Sequence, residues 1–134
     1  MLTINDFINK IILDAINKRV SDIHFEPYEK NYRIRFRLDG VLYEAASPPI
    51  NLASRITTRI KIMAQLDISE RRVPQDGRFK MLLGRKNSID FRISTCPTIN
   101  GEKIVIRILD ANSMMLTIEK LGLDPKQQEI FSKE

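Results

Sequence analysis

The chain has 134 residues, enough for one domain with a real core, and its 43% apolar and 29% charged fractions are those of a soluble globular protein. No stretch approaches the roughly 18 apolar residues of a membrane span, and Met1-Leu2-Thr3-Ile4-Asn5-Asp6 lacks the basic-then-apolar order of a signal peptide. A lone cysteine, Cys96, excludes an internal disulfide and fits a cytoplasmic protein, while the net charge of +5 tolerates anionic partners without demanding them.

Thr3-Ile4-Asn5-Asp6 has the spacing of a helix capping box. Ile4, Phe7, Ile8, Ile11, Ile12, Ala15 and Ile16 then recur at three and four, which predicts an amphipathic helix over residues 4–19. Period two follows. Ile23 and Phe25 alternate with Asp22, His24 and Glu26 as far as Pro27. Tyr32, Ile34, Phe36 and Leu38 alternate strictly with Arg33, Arg35, Arg37 and Asp39, which sends the apolar set to the core and three guanidinium groups to the other face. Asp39-Gly40 supplies the positive φ angles of a type I′ hairpin, with a return strand over 41–46.

Ser47-Pro48-Pro49 breaks the chain before a second helix over residues 51–66. Residues 67–77 read as a polar connector, and strands are expected over 78–83, 88–94 and 103–109, with turns at 84–87 and Ile99-Asn100-Gly101. Short helices are expected in the tail, at 116–121 and after Asp124-Pro125. Helices and hairpins in this order, without regular βαβ alternation, predict one α+β domain over 1–134, its largely antiparallel sheet covered on one face by helices.

No phosphate-binding glycine loop, nucleophile elbow or H-E-x-x-H motif is present. His24 and Cys96, the only residues of their types, cannot assemble a zinc set, and Cys96 lacks a histidine base. His24 and Glu26 share a strand face, but polar residues there are expected to be solvated. Neither a catalytic centre nor a metal site is expected. The arginine strand admits two readings on its own pattern: a solvated face paired to Glu26, Glu44 or Asp90, or a surface for an anionic partner.

Ser21-Asp22-Ile23-His24-Phe25-Glu26-Pro27, Ile34-Arg35-Phe36-Arg37-Leu38-Asp39-Gly40 and Arg71-Arg72-Val73-Pro74-Gln75-Asp76-Gly77-Arg78 resemble landmark segments of the type II secretion and type IV pilus assembly ATPases. Asp90-Phe91-Arg92-Ile93-Ser94-Thr95 and Gly101-Glu102-Lys103-Ile104-Val105-Ile106-Arg107 continue the match in order. The resemblance implies the second N-terminal domain of such a motor, a PAS-like module ahead of the RecA-like domain that carries Walker A and Walker B. On it, the chain ends at Ser132-Lys133-Glu134, just before the Walker A segment is expected. It further implies a homohexamer in which this domain packs on the adjacent subunit's motor domain and offers Arg35, Arg37 and, more weakly, Arg78 to the phosphates of its ATP. ATP and Mg belong to the full-length parent, and the inner-membrane platform proteins of secretion or pilus assembly are further expected partners. The role of Arg33 is closer to that of a solvated residue. Two other readings stay open: a nucleic-acid-binding module, which the out-of-phase aromatics Tyr32 and Phe36 speak against, and a pure protein-interaction module.

Overall fold

The computed structural model describes residues 3–82 and 88–109, so the expected turn at 84–87 and the tail helices lie outside the described residues. Helix α1 (Ile4–Asn17) starts on the capping box: Thr3 Oγ1 accepts from the Asp6 N–H at 3.0 Å, and the Asp6 carboxylate accepts from the Thr3 N–H at 3.3 Å. It buries Ile8, Ile11, Ile12, Ala15 and Ile16 on one stripe. Each fully buried isoleucine contributes about 1.5–3 kcal/mol, and truncating Ile12 to alanine would cost about 2–5 kcal/mol.

Helix α2 (Ala53–Met63) follows a 3₁₀ turn at Ile50–Leu52 and presents Ile56 and Ile60 to the same core. Both helices stop a few residues earlier than their apolar periodicity suggests. Each closes by a 6→1 bond (Val20 N–H to Ala15 O, Leu66 N–H to Lys61 O) over a residue with positive φ, Arg19 at 62° and Gln65 at 59°. Neither position is a glycine, so the sequence carries no stop signal there.

The strands are β1 (Asp22–Pro27), β2 (Tyr32–Leu38), β3 (Val41–Ala46), β4 (Gln75–Leu82), β5 (Ser88–Thr98) and β6 (Gly101–Ile108). They form one antiparallel sheet in the order β3-β2-β1-β6-β5-β4. The type I′ turn between β2 and β3 is as expected, with φ of 53° at Asp39 and 81° at Gly40. Ile23, Phe25, Ile34, Phe36, Phe91, Ile93, Ile104 and Ile106 point to the helices and are fully buried. The fold is therefore α+β, with one sheet face packed under two helices and the other uncovered among the described residues.

The supposed connector is largely structural. Gln75 and Gly77 belong to β4, and the Gln75 side chain ties the preceding loop by accepting from the Asp67 N–H (2.9 Å) and donating to the carbonyls of Asp67 and Glu70 (3.0 and 3.2 Å). Gly77 lies against the end of α2, where a Cβ would stand 2.8 Å from both Ala64 O and Leu66 Cδ2. Those contacts explain why this segment reads Gln-Asp-Gly rather than as a generic turn.

Candidate functional site

The uncovered sheet face is where the charged side chains gather. On the central strand β1, alternation places Asp22, His24 and Glu26 there. The alternating pattern leads one to expect them solvated, and the structure corrects this: they are only 4%, 8% and 5% exposed. The physical reason is their position: long side chains from β2 and β6 lie across them. Arg35 donates from Nε and Nη2 to the two Glu26 oxygens, both at 2.8 Å, and Lys103 Nζ stands 3.4 Å from the same carboxylate. The Tyr28 hydroxyl donates to Glu26 as well, at 3.1 Å. His24 Nε2 lies 2.8 Å from Asp22 Oδ2 and its Nδ1 lies 3.8 Å from Glu26.

Burial pushes the Asp22 and Glu26 carboxyls up, yet both settle below the ordinary carboxylate range. For Asp22 the opposing causes are hydrogen bonds from His24 and Ser21 and the charges of His24 and Arg107; for Glu26 they are the bonds and charge of Arg35, the Tyr28 hydroxyl and Lys103. The Glu26 clamp in turn raises the guanidinium of Arg35 above its usual value.

The three strand arginines thus differ. Arg33 donates to Glu44 at 3.1 Å, an exposed pair of the kind worth at most about 1 kcal/mol. Arg35 is held by a two-pronged bond. Arg37 donates to Asp22 at 3.3 Å and to the Gly40 carbonyl at 3.1 Å and stays partly exposed.

Strand register assembles a second feature. Arg37 pairs with Asp22, Asp22 with Arg107, Arg107 with Arg92, and Arg92 with Arg78. One rung across five strands therefore reads Arg, Asp, Arg, Arg, Arg. Adjacent strands are about 4.8 Å apart, so Arg78, Arg92 and Arg107 fall within about 10 Å on one face. Like charges directly opposite each other destabilise a sheet. The acid beside them is limited: Asp22 faces Arg107 across the rung but also serves Arg37 and His24, Arg92 Nη2 stands 3.7 Å from the exposed Asp76, and Arg78 makes no ion pair among the described residues. Arg37 and Arg78, both singled out from sequence, lie on this rung; Arg35 lies one rung-pair away under Glu26. Arg92 and Arg107 were not singled out, although a signal existed. The two-residue turn Ile99-Asn100 makes Thr98 face Gly101, and counting back from it puts Arg92 opposite Arg107.

The chain resembles known proteins along almost its full length. The family described as "Type II/IV secretion system protein" matches residues 2–134. The type IV pilus assembly ATPase PilB of Pseudomonas aeruginosa is 60% identical over 93% of this chain, and the putative type II secretion system protein E of Escherichia coli K12 is 52% identical over 87%. The chain spans 22% and 23% of those two relatives, less than a quarter of their length. The Legionella pneumophila ATPase DotB shares the fold, with a TM-score of 0.51 at 13% identity over 77% of this chain and 29% of that one. With a family match spanning residues 2–134, this chain belongs to the type II/IV secretion system protein family.

Proposed function

We propose that this chain is an N-terminal, PAS-like coupling domain of a hexameric type II secretion or type IV pilus assembly ATPase. Its uncovered sheet face packs on the motor domain of the adjacent subunit and offers arginines to the phosphates of the Mg-ATP held there. The domain performs no hydrolysis alone and works in the cytoplasm, held at the inner membrane through platform proteins. The observation that carries the reading is the arginine rung: Arg78, Arg92 and Arg107 on adjacent strands, with Asp22 shared among several cations and Asp76 exposed beside Arg92, suit a polyphosphate. Arg37 extends the rung, and Arg35 reaches a phosphate only by exchanging the Glu26 carboxylate for it.

A guanidinium on a γ-phosphate loses its partner when the phosphate leaves, so the contact converts hydrolysis into a change of domain position. The relatives named as ATPases support such a motor in the parent protein. A nucleic-acid surface is less well supported, because Tyr28, the aromatic beside the arginines, has its hydroxyl on Glu26 and Arg33 over its ring at 5.8 Å. The test is steady-state ATPase activity of the full-length parent. Arg92→Ala and Arg107→Ala are each expected to lower kcat by about a hundredfold or more, the scale of a lost transition-state arginine, while Arg33→Ala leaves it near the parental value. Parental kcat in both rung variants would refute the reading.

A further inference from the structure

The helix layer, on the opposite side of the sheet from the rung, carries its own concentration of positive charge, of which Lys61 is paired with Glu102 and two arginines are not paired among the described residues. Helix α2 contains Arg55, Arg59 and Lys61 and no acidic residue. Arg55 sits in its first turn, at the end where the aligned peptide dipoles are positive, and the N-cap position Leu52 offers no side-chain acceptor. Arg55 and Arg59 are one turn apart and so project to the same side, with the hydroxyls of Ser54 and Thr58 on the neighbouring ridge.

A shallow groove of about 570 Å³ runs between this face and the start of α1, and Arg71 reaches it from the loop after α2. Among the described residues, no acidic side chain lines the groove. Arg55, Arg59 and Arg71 make no ion pair among the described residues, and Nε of Arg59 is buried with no hydrogen-bond partner. Three guanidinium groups from two elements, two hydroxyls and a positive helix end thus line one groove with no carboxylate among the described residues to neutralise them. That arrangement leaves the Arg59 Nε donor unsatisfied and gathers like charges around one groove, a cost that a bound anion removes.

We propose that this groove is a second anion site, built for the phosphate group of a small phosphate ester. Convergence on a point suits a tetrahedral dianion with several acceptor oxygens better than an extended acidic chain, whose carboxylates are spaced along a line. Arg59 is its floor, because its buried Nε has no other acceptor; Arg55 and Arg71 close over the ligand from two sides. The site stands apart from the nucleotide contact proposed for the sheet face, and its residues share no side chain with the rung.

The test is an NMR titration of the 134-residue chain with inorganic pyrophosphate at constant ionic strength. Saturable shifts are expected at the amides of Ser54, Arg55, Thr58, Arg59 and Arg71. Arg59→Gln should weaken that binding by about tenfold or more, as loss of a charged hydrogen bond does, with the remaining spectrum unchanged. Arg92→Gln should leave the groove shifts as they are. Parallel titrations with polyglutamate and with phosphatidylglycerol vesicles separate the sources. Stronger groove shifts with either than with pyrophosphate would overturn the assignment to a small phosphate ester, and so would shifts that fail to saturate or survive Arg59→Gln. Failure of the sheet-face reading would show instead in the ATPase assays and leaves this titration untouched.

Discussion

Lys61 is fully buried at the end of α2, where its Nζ donates to the Glu70 carbonyl at 2.7 Å and stands 2.7 Å from Glu102 Oε1 on β6. Glu102 is itself 8% exposed. Removing the carboxylate charge leaves an ammonium ion buried with one carbonyl for company, and breaking such pairs costs about 3–5 kcal/mol. Glu102→Gln keeps the volume and one acceptor, so a loss of about 3 kcal/mol is expected, a large part of the roughly 5–15 kcal/mol that holds a domain together. In thermal terms, Tm should fall by about 10 °C. Lys61→Met should cost a similar amount by stranding the carboxylate. The double variant Lys61→Met, Glu102→Leu leaves neither ion buried, and should be less destabilised than the two single losses added. Urea unfolding followed by circular dichroism measures all three against the parent. The reasoning fails if Glu102→Gln stays within about 1 kcal/mol of the parent, or if the double loss equals the sum.

Two further outcomes follow from particular contacts. Gly77→Ala drives a methyl group to 2.8 Å from the Ala64 carbonyl and Leu66, and should destabilise by about 1–3 kcal/mol; Gly40→Ala, with nothing within 4 Å, should lose only the cost of its φ of 81°. The same urea titrations decide between a steric and a backbone origin, since equal losses at both sites would remove the steric one. Acidification tests the buried carboxylates. Asp22 and Glu26 titrate lower folded than unfolded, so their stabilisation is complete above the ordinary carboxylate range, about 4, and is lost as pH falls through their folded values. The urea midpoint should therefore drop on going below about pH 4, and drop less steeply in Glu26→Gln. An unchanged slope in that variant would count against the Arg35–Glu26 clamp.

What the sequence made legible is local. Strict alternation from Tyr32 to Leu38 and the Asp39-Gly40 turn specify a hairpin that the structure reproduces, and Thr3 to Asp6 specify a helix start that it reproduces as well. What it concealed depends on distant partners. Lys61 lies on a helix whose pattern gives no sign of its partner, because Glu102 stands 41 residues later and only the fold brings it beside the ammonium. His24 reads as solvated until β6 covers β1 from the other side. Gln75 and Gly77 read as turn chemistry, whereas their demands come from the loop and the helix end packed on them. The arginine rung was half visible for the same reason. Each arginine lies in an alternating strand, but the pairing of β1 with β6 is a long-range register that no local pattern encodes.

On the proposed function, the rung arginines act on a neighbouring subunit's nucleotide, and mixed hexamers decide whether they do. One full-length subunit carries Arg92→Gln with Arg107→Gln and an intact motor domain; the other carries an intact rung and a motor domain disabled for hydrolysis. Each alone should turn over ATP poorly. Mixed, they should recover activity, because an intact rung then faces an intact motor across the subunit boundary. A mixture no more active than the sum of its parts, with mixed hexamers demonstrably formed, would contradict the account.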